Sequence, residues 1–391
     1  MDFADSPAEA VFRAELRAWL AAHLPAHRQT HPASDDELTL HPDRSFDACR
    51  AWHRRMHAGG WMGLRWPKEY GGRGATLVEQ LIFAEEQIAA GAPPGVNTIG
   101  LGMVAPALMV HGTPAQKQRW LKPILSADEI WCQGFSEPNA GSDLANLSTR
   151  AVLDGDDFVV TGQKVWTSNA HRSDYCLLLA RSEPGSARHA GISCLLVDMR
   201  APGITVRPLR QLTGDSEFNE VFFDGVRVPR TSLVGLLHRG WDVAVTILMY
   251  ERQSIGGMVN LHVFIDRVLA LARRQGGTDP LVRQRLADLV IAGRVLRLTN
   301  LRYLTRELKG EPVGAEGSVL KLTFTEAYKQ MAEIAAAILG PYAQLWGDQP
   351  RAPEDGRWAF QSLFAHRFGI AGGTDQIQRN IIGDRLLGLP R

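Results

Sequence analysis

A carboxylate set into an apolar helical stripe is the feature of this sequence with the most direct chemical consequence. Ala244, Ile247, Leu248, Glu251 and Ile255 recur at three-to-four spacing, so Glu251 interrupts an otherwise apolar face. Burial disfavours the charged carboxylate and raises its pKa, which suits a general base; a buried ion pair with a distant arginine is the alternative. Arg252, one step round the helix, points elsewhere, towards a ligand or an opposite domain. A second cluster, residues 131–143 (WCQGFSEPNAGSD), is dense in small and polar residues. Successive N–H groups and hydroxyls in such a turn can hold an anionic or carbonyl-rich ligand, although a junction turn would read the same way. A third, Gly162-Gln163-Lys164-Val165-Trp166-Thr167-Ser168-Asn169, looks like a hairpin ending in an indole followed by two hydroxyls. Trp166 is either core or the wall of a flat heteroaromatic ring whose edge Ser168 bonds. The fourth, Gly372-Gly373-Thr374-Asp375-Gln376-Ile377-Gln378-Arg379-Asn380, reads as a capped helix start able to accept phosphate or ribose oxygens, or as a plain cap.

The elements that must position these residues fall into three stretches. Phe12, Leu16, Trp19, Leu20 and Leu24 give residues 8–24 a helical period, and Ser6-Pro7 supplies a capped start. Helices are also predicted over 76–90 and 114–125, with 91–102 a loop or broken helix. From Trp131 the texture changes to short Val-, Phe- and Leu-rich runs over 158–161, 175–180, 192–199, 204–208 and 220–223, bounded by Gly, Asp and Pro. That spacing implies an antiparallel barrel or sandwich rather than βαβ units. After Val228-Pro229 the pattern is helical over 240–271, 280–310, 317–339 and 361–387. The fold class is therefore α+β multidomain: an N-terminal helical domain (1–130), a central β domain (131–235) and a C-terminal four-helix bundle (236–391). Three hundred and ninety-one residues are too many for one core.

Composition excludes several classes. Lys+Arg at 43 against Asp+Glu at 42 leaves a formal charge of +1, so nothing global draws the chain to nucleic acid. No apolar run approaches the ~18–20 residues of a membrane span, and the start lacks the layout of a signal peptide. Cys49, Cys132, Cys176 and Cys194 show no C-x-x-C spacing, which argues against a metal cage or disulfide framework and for a reducing, cytoplasmic setting. Neither a G-x-G-x-x-G after a strand nor a P-loop is present.

Together the four segments resemble the acyl-CoA dehydrogenase family. Phe135-Ser136-Glu137-Pro138-Asn139-Ala140-Gly141-Ser142-Asp143 is similar to its first signature, and Gly162-Gln163-Lys164 with Trp166 to its flavin-stacking segment. Gly373-Thr374-Asp375-Gln376-Ile377-Gln378-Arg379 resembles its C-terminal signature; Trp66-Pro67-Lys68-Glu69-Tyr70-Gly71-Gly72 and Val226-Arg227-Val228-Pro229 fall in register. The resemblance implies a flavoprotein oxidoreductase of fatty acid or lipid metabolism with noncovalent FAD, packed as a dimer of dimers. Its reaction would be α,β-dehydrogenation of an acyl-CoA thioester: a base takes the α-proton, flavin N5 takes the β-hydride, and an electron-transferring flavoprotein reoxidises the flavin. Carried over, Gln133, Phe135, Ser136, Trp166 and Ser168 would line the flavin ring, with Thr374 and Gln376 meeting its ADP half from a neighbouring subunit. Ser142 and Arg252 match acyl-CoA contacts. Many members place the catalytic glutamate just before the C-terminal Gly-Thr, where this chain has Gly372; others place it on the long helix opening the last domain, where Glu251 falls. The family's arginine to the FAD pyrophosphate has its nearest match in Arg273, without the following Phe-Gly, and the family's Gln before Gly-Gly appears as Ala337 with Gly340-Pro341. These departures admit an α2β2 heterotetramer as well as a homotetramer. The competing readings are a flavin oxidase or monooxygenase on the same fold, and a partner subunit that completes a paralogue's site.

Overall fold

The computed structural model describes residues 4–31, 46–186, 188–254, 261–276, 279–311, 314–347 and 349–390; of residues 251–254 it describes the backbone alone. In chain order the helices and strands are α1 (Pro7–Thr30), α2 (Phe46–Ala58), α3 (Leu77–Ala89), α4 (Ala105–His111) and α5 (Pro114–Ser126). There follow β1 (Trp131–Gly134), β2 (Arg150–Asp154), β3 (Asp157–Lys164), β4 (Tyr175–Arg181), β5 (Ile192–Asp198), β6 (Ile204–Leu209), β7 (Phe218–Pro229) and β8 (Leu233–Val234). The last third comprises α6 (Gly240–Ser254), α7 (Leu261–Arg274), α8 (Pro280–Leu308), α9 (Glu316–Leu339), α10 (Arg357–Phe364) and α11 (Asp375–Ile381). The order is helical, then β, then helical, as the sequence implied.

The chain forms two compact units. One comprises Met1–Thr39, Thr76–Ala92 and Ile255–Arg391. Here α1 begins at a capping box: Ser6 Oγ accepts from the Glu9 amide, and the Glu9 carboxylate accepts from the Ser6 amide. Phe12, Leu16, Leu20 and Leu24 are buried at the expected spacing, and the helix runs past Pro25 to Thr30. Arg13 and Arg17 both grip the buried Glu86 of α3, at 2.7 and 2.6 Å, so both its oxygens are satisfied. The C-terminal helices share one apolar core, in which Leu261, Ile265, Val268 and Leu271 of α7 pack with Leu289 and Leu296 of α8 and Tyr328, Met331 and Ala335 of α9. The single helix expected over 361–387 is broken: α10 ends at Phe364, a 3-10 turn spans Ala365–Gly369, and Gly372 (φ +65°) and Gly373 (φ +84°) take left-handed backbone just before α11.

The other unit comprises Leu40–Ala75 and Pro93–Ser254. Its strands are ordered β6-β7-β3-β2-β4-β5-β8, with β1 added beside β4. Most neighbours are antiparallel, but β1 runs parallel to β4, and β2 meets β4 through the single pair Arg150↔Arg181. That narrow join leaves two groups of strands facing one core of Phe158, Val160, Leu178, Leu195, Val221 and Phe223. Cys132 and Cys176 lie fully buried there as free thiols, Cys194 is fully buried on the other face of β5, and burial pushes the Cys132 and Cys194 thiols upward. Residues 91–102, expected to be irregular, lead into a π-helical turn at Gly100–Val104 that continues as α4. Inside that segment the buried Asn97 donates to the carbonyls of Ile124 and Glu129 and accepts from the Trp131 amide at 2.9 Å, fixing where β1 starts.

Candidate active site

Two of the sequence clusters meet at the end of β3. A bulge at Gly162 (φ +153°) shifts the register against β7. A Cβ there would lie 2.6 Å from Thr149 Oγ1 and 2.7 Å from its Cα, so the close approach of backbones requires glycine. Beyond the bulge Lys164 turns into the protein and is fully buried. Its ammonium donates to the Phe135 carbonyl at 3.0 Å and to Glu137 Oε1 at 2.8 Å. One residue on, the Val165 amide donates to the Ser136 carbonyl at 2.9 Å. The segments 133–137 and 164–168 are thereby clasped together.

Glu137 holds the far side of the clasp. It accepts from the Ser148 amide and hydroxyl, each at 2.7 Å, and from the Thr149 amide at 2.9 Å. Burial alone would raise this carboxyl. The charge and hydrogen bond of Lys164, with the bonds from Thr149 and Ser148, outweigh burial and bring it down to about 2. Sequence reading gave neither Glu137 nor Lys164 a role of its own. Counting inward positions from Phe158 and Val160 through Gly162 would have placed Lys164 in the interior, where a lysine requires a partner.

The clasp presents the expected ligand-facing residues unequally. Trp166 is not core: its side chain is 59% exposed, and its backbone sits at φ +59°. Such a backbone for a bulky residue costs about 1–3 kcal/mol and persists only where the surroundings enforce it. The indole stands edge-on to Phe218, with centroids 5.9 Å apart at 88°. Ser168 is half-buried, Gln133 half-buried on β1 and Phe135 buried. The intervening Thr167 has a buried hydroxyl without a hydrogen-bond partner. Ser142 is exposed beyond the tight Glu137–Ala140 turn. An open indole on enforced backbone, hydroxyls at its side and an orphaned buried hydroxyl fit a flat ring system with polar edges, as the isoalloxazine of FAD is. No group of His, Cys, Asp or Glu able to hold a metal occurs among the described residues.

In the same unit α6 buries Val243, Ala244 and Ile247, the face inferred from spacing, while Met249 is exposed. His111 Nε2 and Thr246 Oγ1, 2.8 Å apart, bond α4 to α6. Glu251 and Arg252 lie on this helix, and their side chains are outside the described residues.

The C-terminal cluster lies in the other unit. Thr374 caps α11 by accepting from the Ile377 amide at 3.2 Å, Gln376 is exposed, and Arg273 is exposed in the last turn of α7. Two residues not singled out hold this loop. Asp375 is buried between Lys321 (2.9 Å) and Lys329 (3.1 Å); burial opposes its charge, but the lysines win and lower its pKa. Gln378 is also buried, donating to the Gly372 carbonyl at 2.8 Å. The signal was a lysine on the apolar face of α9. Lys321→Met takes one cationic partner from a buried carboxylate, so the thermal transition of the variant should fall, followed by far-UV circular dichroism on heating.

The chain resembles known proteins along nearly its whole length. Residues 6–128, 132–226 and 238–387 match the N-terminal, middle and C-terminal domain models of acyl-CoA dehydrogenases. The chain is 40% identical over 385 residues, 97% of each sequence, to acyl-CoA dehydrogenase IpdE1 of Mycobacterium tuberculosis. Its fold matches a chain of the ChsE4-ChsE5 complex from Mycobacterium tuberculosis with a TM-score of 0.85 at 33% identity, covering 100% of both chains. The same values hold for a chain of the Tcur3481-Tcur3483 steroid ACAD. Clasp, exposed indole, element order and end-to-end similarity agree: the chain belongs to the acyl-CoA dehydrogenase family, whose members are FAD-dependent flavoproteins acting on acyl-CoA thioesters.

Proposed function

We propose that this protein dehydrogenates the α,β bond of a bulky, steroid-derived acyl-CoA thioester, with Glu251 as the base. The observation that carries the reading is the clasp of 133–137 to 164–168, which joins the two expected flavin-facing segments through Lys164 and Val165. When bound, FAD supplies the acceptor for the β-hydrogen. Trp166 walls one side of its ring, Ser136 and Ser168 bond its edge, and Gln133 and Phe135 line the approach. Glu251 takes the α-proton; its position follows the buried Ala244 and Ile247 along α6 at helical spacing. Ser142 and Arg252 contact the acyl-CoA. Thr374, Gln376 and Arg273 meet the ADP half of FAD from a neighbouring subunit.

The substrate class rests on the steroid ACAD likeness and the 40% identity to IpdE1. The likeness to a two-protein complex supports an α2β2 heterotetramer over a homotetramer. An electron-transferring flavoprotein serves as acceptor, in the cytoplasm; no helix among the described residues is long and apolar enough to cross a membrane. Anaerobic titration of the yellow protein, alone and mixed with a co-expressed paralogue, tests the reading. Loss of flavin absorbance with a steroid-side-chain CoA thioester, and not with straight-chain thioesters, is the expected result. Bleaching by straight chains only removes the steroid assignment; rapid reoxidation by oxygen favours an oxidase. Trp166→Ala should bind FAD at least tenfold more weakly, measured by quenching on titration of the apoprotein.

A further inference from the structure

The left-handed backbone at Trp166 directly precedes a residue that the neighbouring strand holds tightly. Asn219 of β7 is fully buried and engages the 167 position three times. Its backbone exchanges both hydrogen bonds with Thr167, amide to carbonyl at 3.0 Å and 3.1 Å. Its side-chain amide donates to the same Thr167 carbonyl at 3.0 Å and to the Glu217 carbonyl at 3.0 Å. The Asn169 amide donates to that Glu217 carbonyl at 2.7 Å. The carboxamide oxygen faces His171 Nδ1 at 3.1 Å, so this ring nitrogen is the donor there. Residues 166–169 thus pass across Asn219 with left-handed backbone at both ends, φ +59° at Trp166 and +57° at Asn169. Phe218, next to Asn219, meets the indole edge.

We propose that Asn219 is a positioning residue for Trp166. It fixes the Thr167 carbonyl, which obliges the chain to turn through left-handed backbone just before it and directs the indole outward. The amide hydrogens are the working part, because the backbone pairing alone is available to any residue of β7. The proposal rests on the reading that Trp166 walls the flavin.

Asn219→Asp keeps the size and the acceptor facing His171 while removing both donors. With FAD bound, its flavin fluorescence should rise several-fold towards that of Trp166→Ala, because an indole free to swing away no longer quenches the ring. Its thermal transition should remain cooperative. Asn219→Gln, which restores donors on a longer arm, should recover part of the quenching. If Trp166→Ala leaves flavin fluorescence unchanged, the reading of Trp166 itself falls. If Trp166→Ala brightens the flavin and Asn219→Asp does not, the positioning role falls alone. Failure of both Asn219 variants to fold would overturn it as well, making Asn219 a folding residue rather than one that aims the indole.

Discussion

Glu251→Gln should abolish most turnover while leaving the protein yellow and able to bind acyl-CoA. The substitution preserves size and a polar head but removes the proton acceptor. Loss of a positioned general base costs roughly 10²–10⁴-fold in rate, and an α-C–H beside a thioester is too weak an acid for water to replace it efficiently. Stopped-flow loss of flavin absorbance on mixing with substrate measures the step directly, and the perturbation of the flavin spectrum by a non-reactive thioester reports binding separately. Bleaching at the unmutated rate would remove Glu251 from the mechanism. Weakened thioester binding with equal loss of rate would assign it to substrate positioning instead. The decline should exceed that of any change at Ser142, which is exposed and is proposed only as a thioester contact.

The second large effect is on stability. Glu137→Leu leaves Lys164 fully buried with only the Phe135 carbonyl for company. Removing one partner of a buried ion pair costs about 3–5 kcal/mol, because the remaining charge is uncompensated. The transition of the β-containing unit should drop by on the order of 10 °C. Replacing both residues, Glu137→Leu with Lys164→Met, should recover most of that loss, because the desolvation cost leaves together with the attraction. A double variant no more stable than Glu137→Leu alone would mean that the bonds to Ser148 and Thr149 matter more than the charge pair. Acidity acts through the same carboxyl. Its folded value of about 2 lies below its ordinary 4.5, so the folded state binds fewer protons than the unfolded chain between those values. The stabilisation is complete above pH 4.5 and is lost as the pH falls towards 2. Denaturant midpoints measured across that interval should therefore fall more steeply for the parent than for the double variant.

The architecture was legible because its signals are local. The apolar spacing of Phe12 to Leu24, the Ser6-Pro7 start and the short β runs each follow from period and turn chemistry, and the structure carries all three. What failed were elements whose signal is weak or interrupted. The short strands β1 and β2 carry Gln133 and the exposed Val152 and Leu153, so neither reads as half-buried alternation, and both are specified by neighbours instead. The 361–387 stretch kept its apolar period through a 3-10 turn at Ala365–Gly369 and two glycines of positive φ that separate α10 from α11. At the site, the types of Trp166 and Ser168 named a function, but their support did not show. Glu137, Lys164 and Asn219 act through partners 11 to 52 residues away, and pairing over such distances leaves no periodic trace. Buried Lys321 and Asp375, 54 residues apart, are silent for the same reason.

The thiols enclosed between the strand groups give the sheet a built-in clock. Alkylating reagents cannot reach Cys132 or Cys176 until the two halves part, and the raised thiol of Cys132 stays unreactive until then. Mass-resolved labelling over hours would count openings one molecule at a time, and any ligand that cements Trp166 and its neighbours should slow the count without touching a sulfur atom.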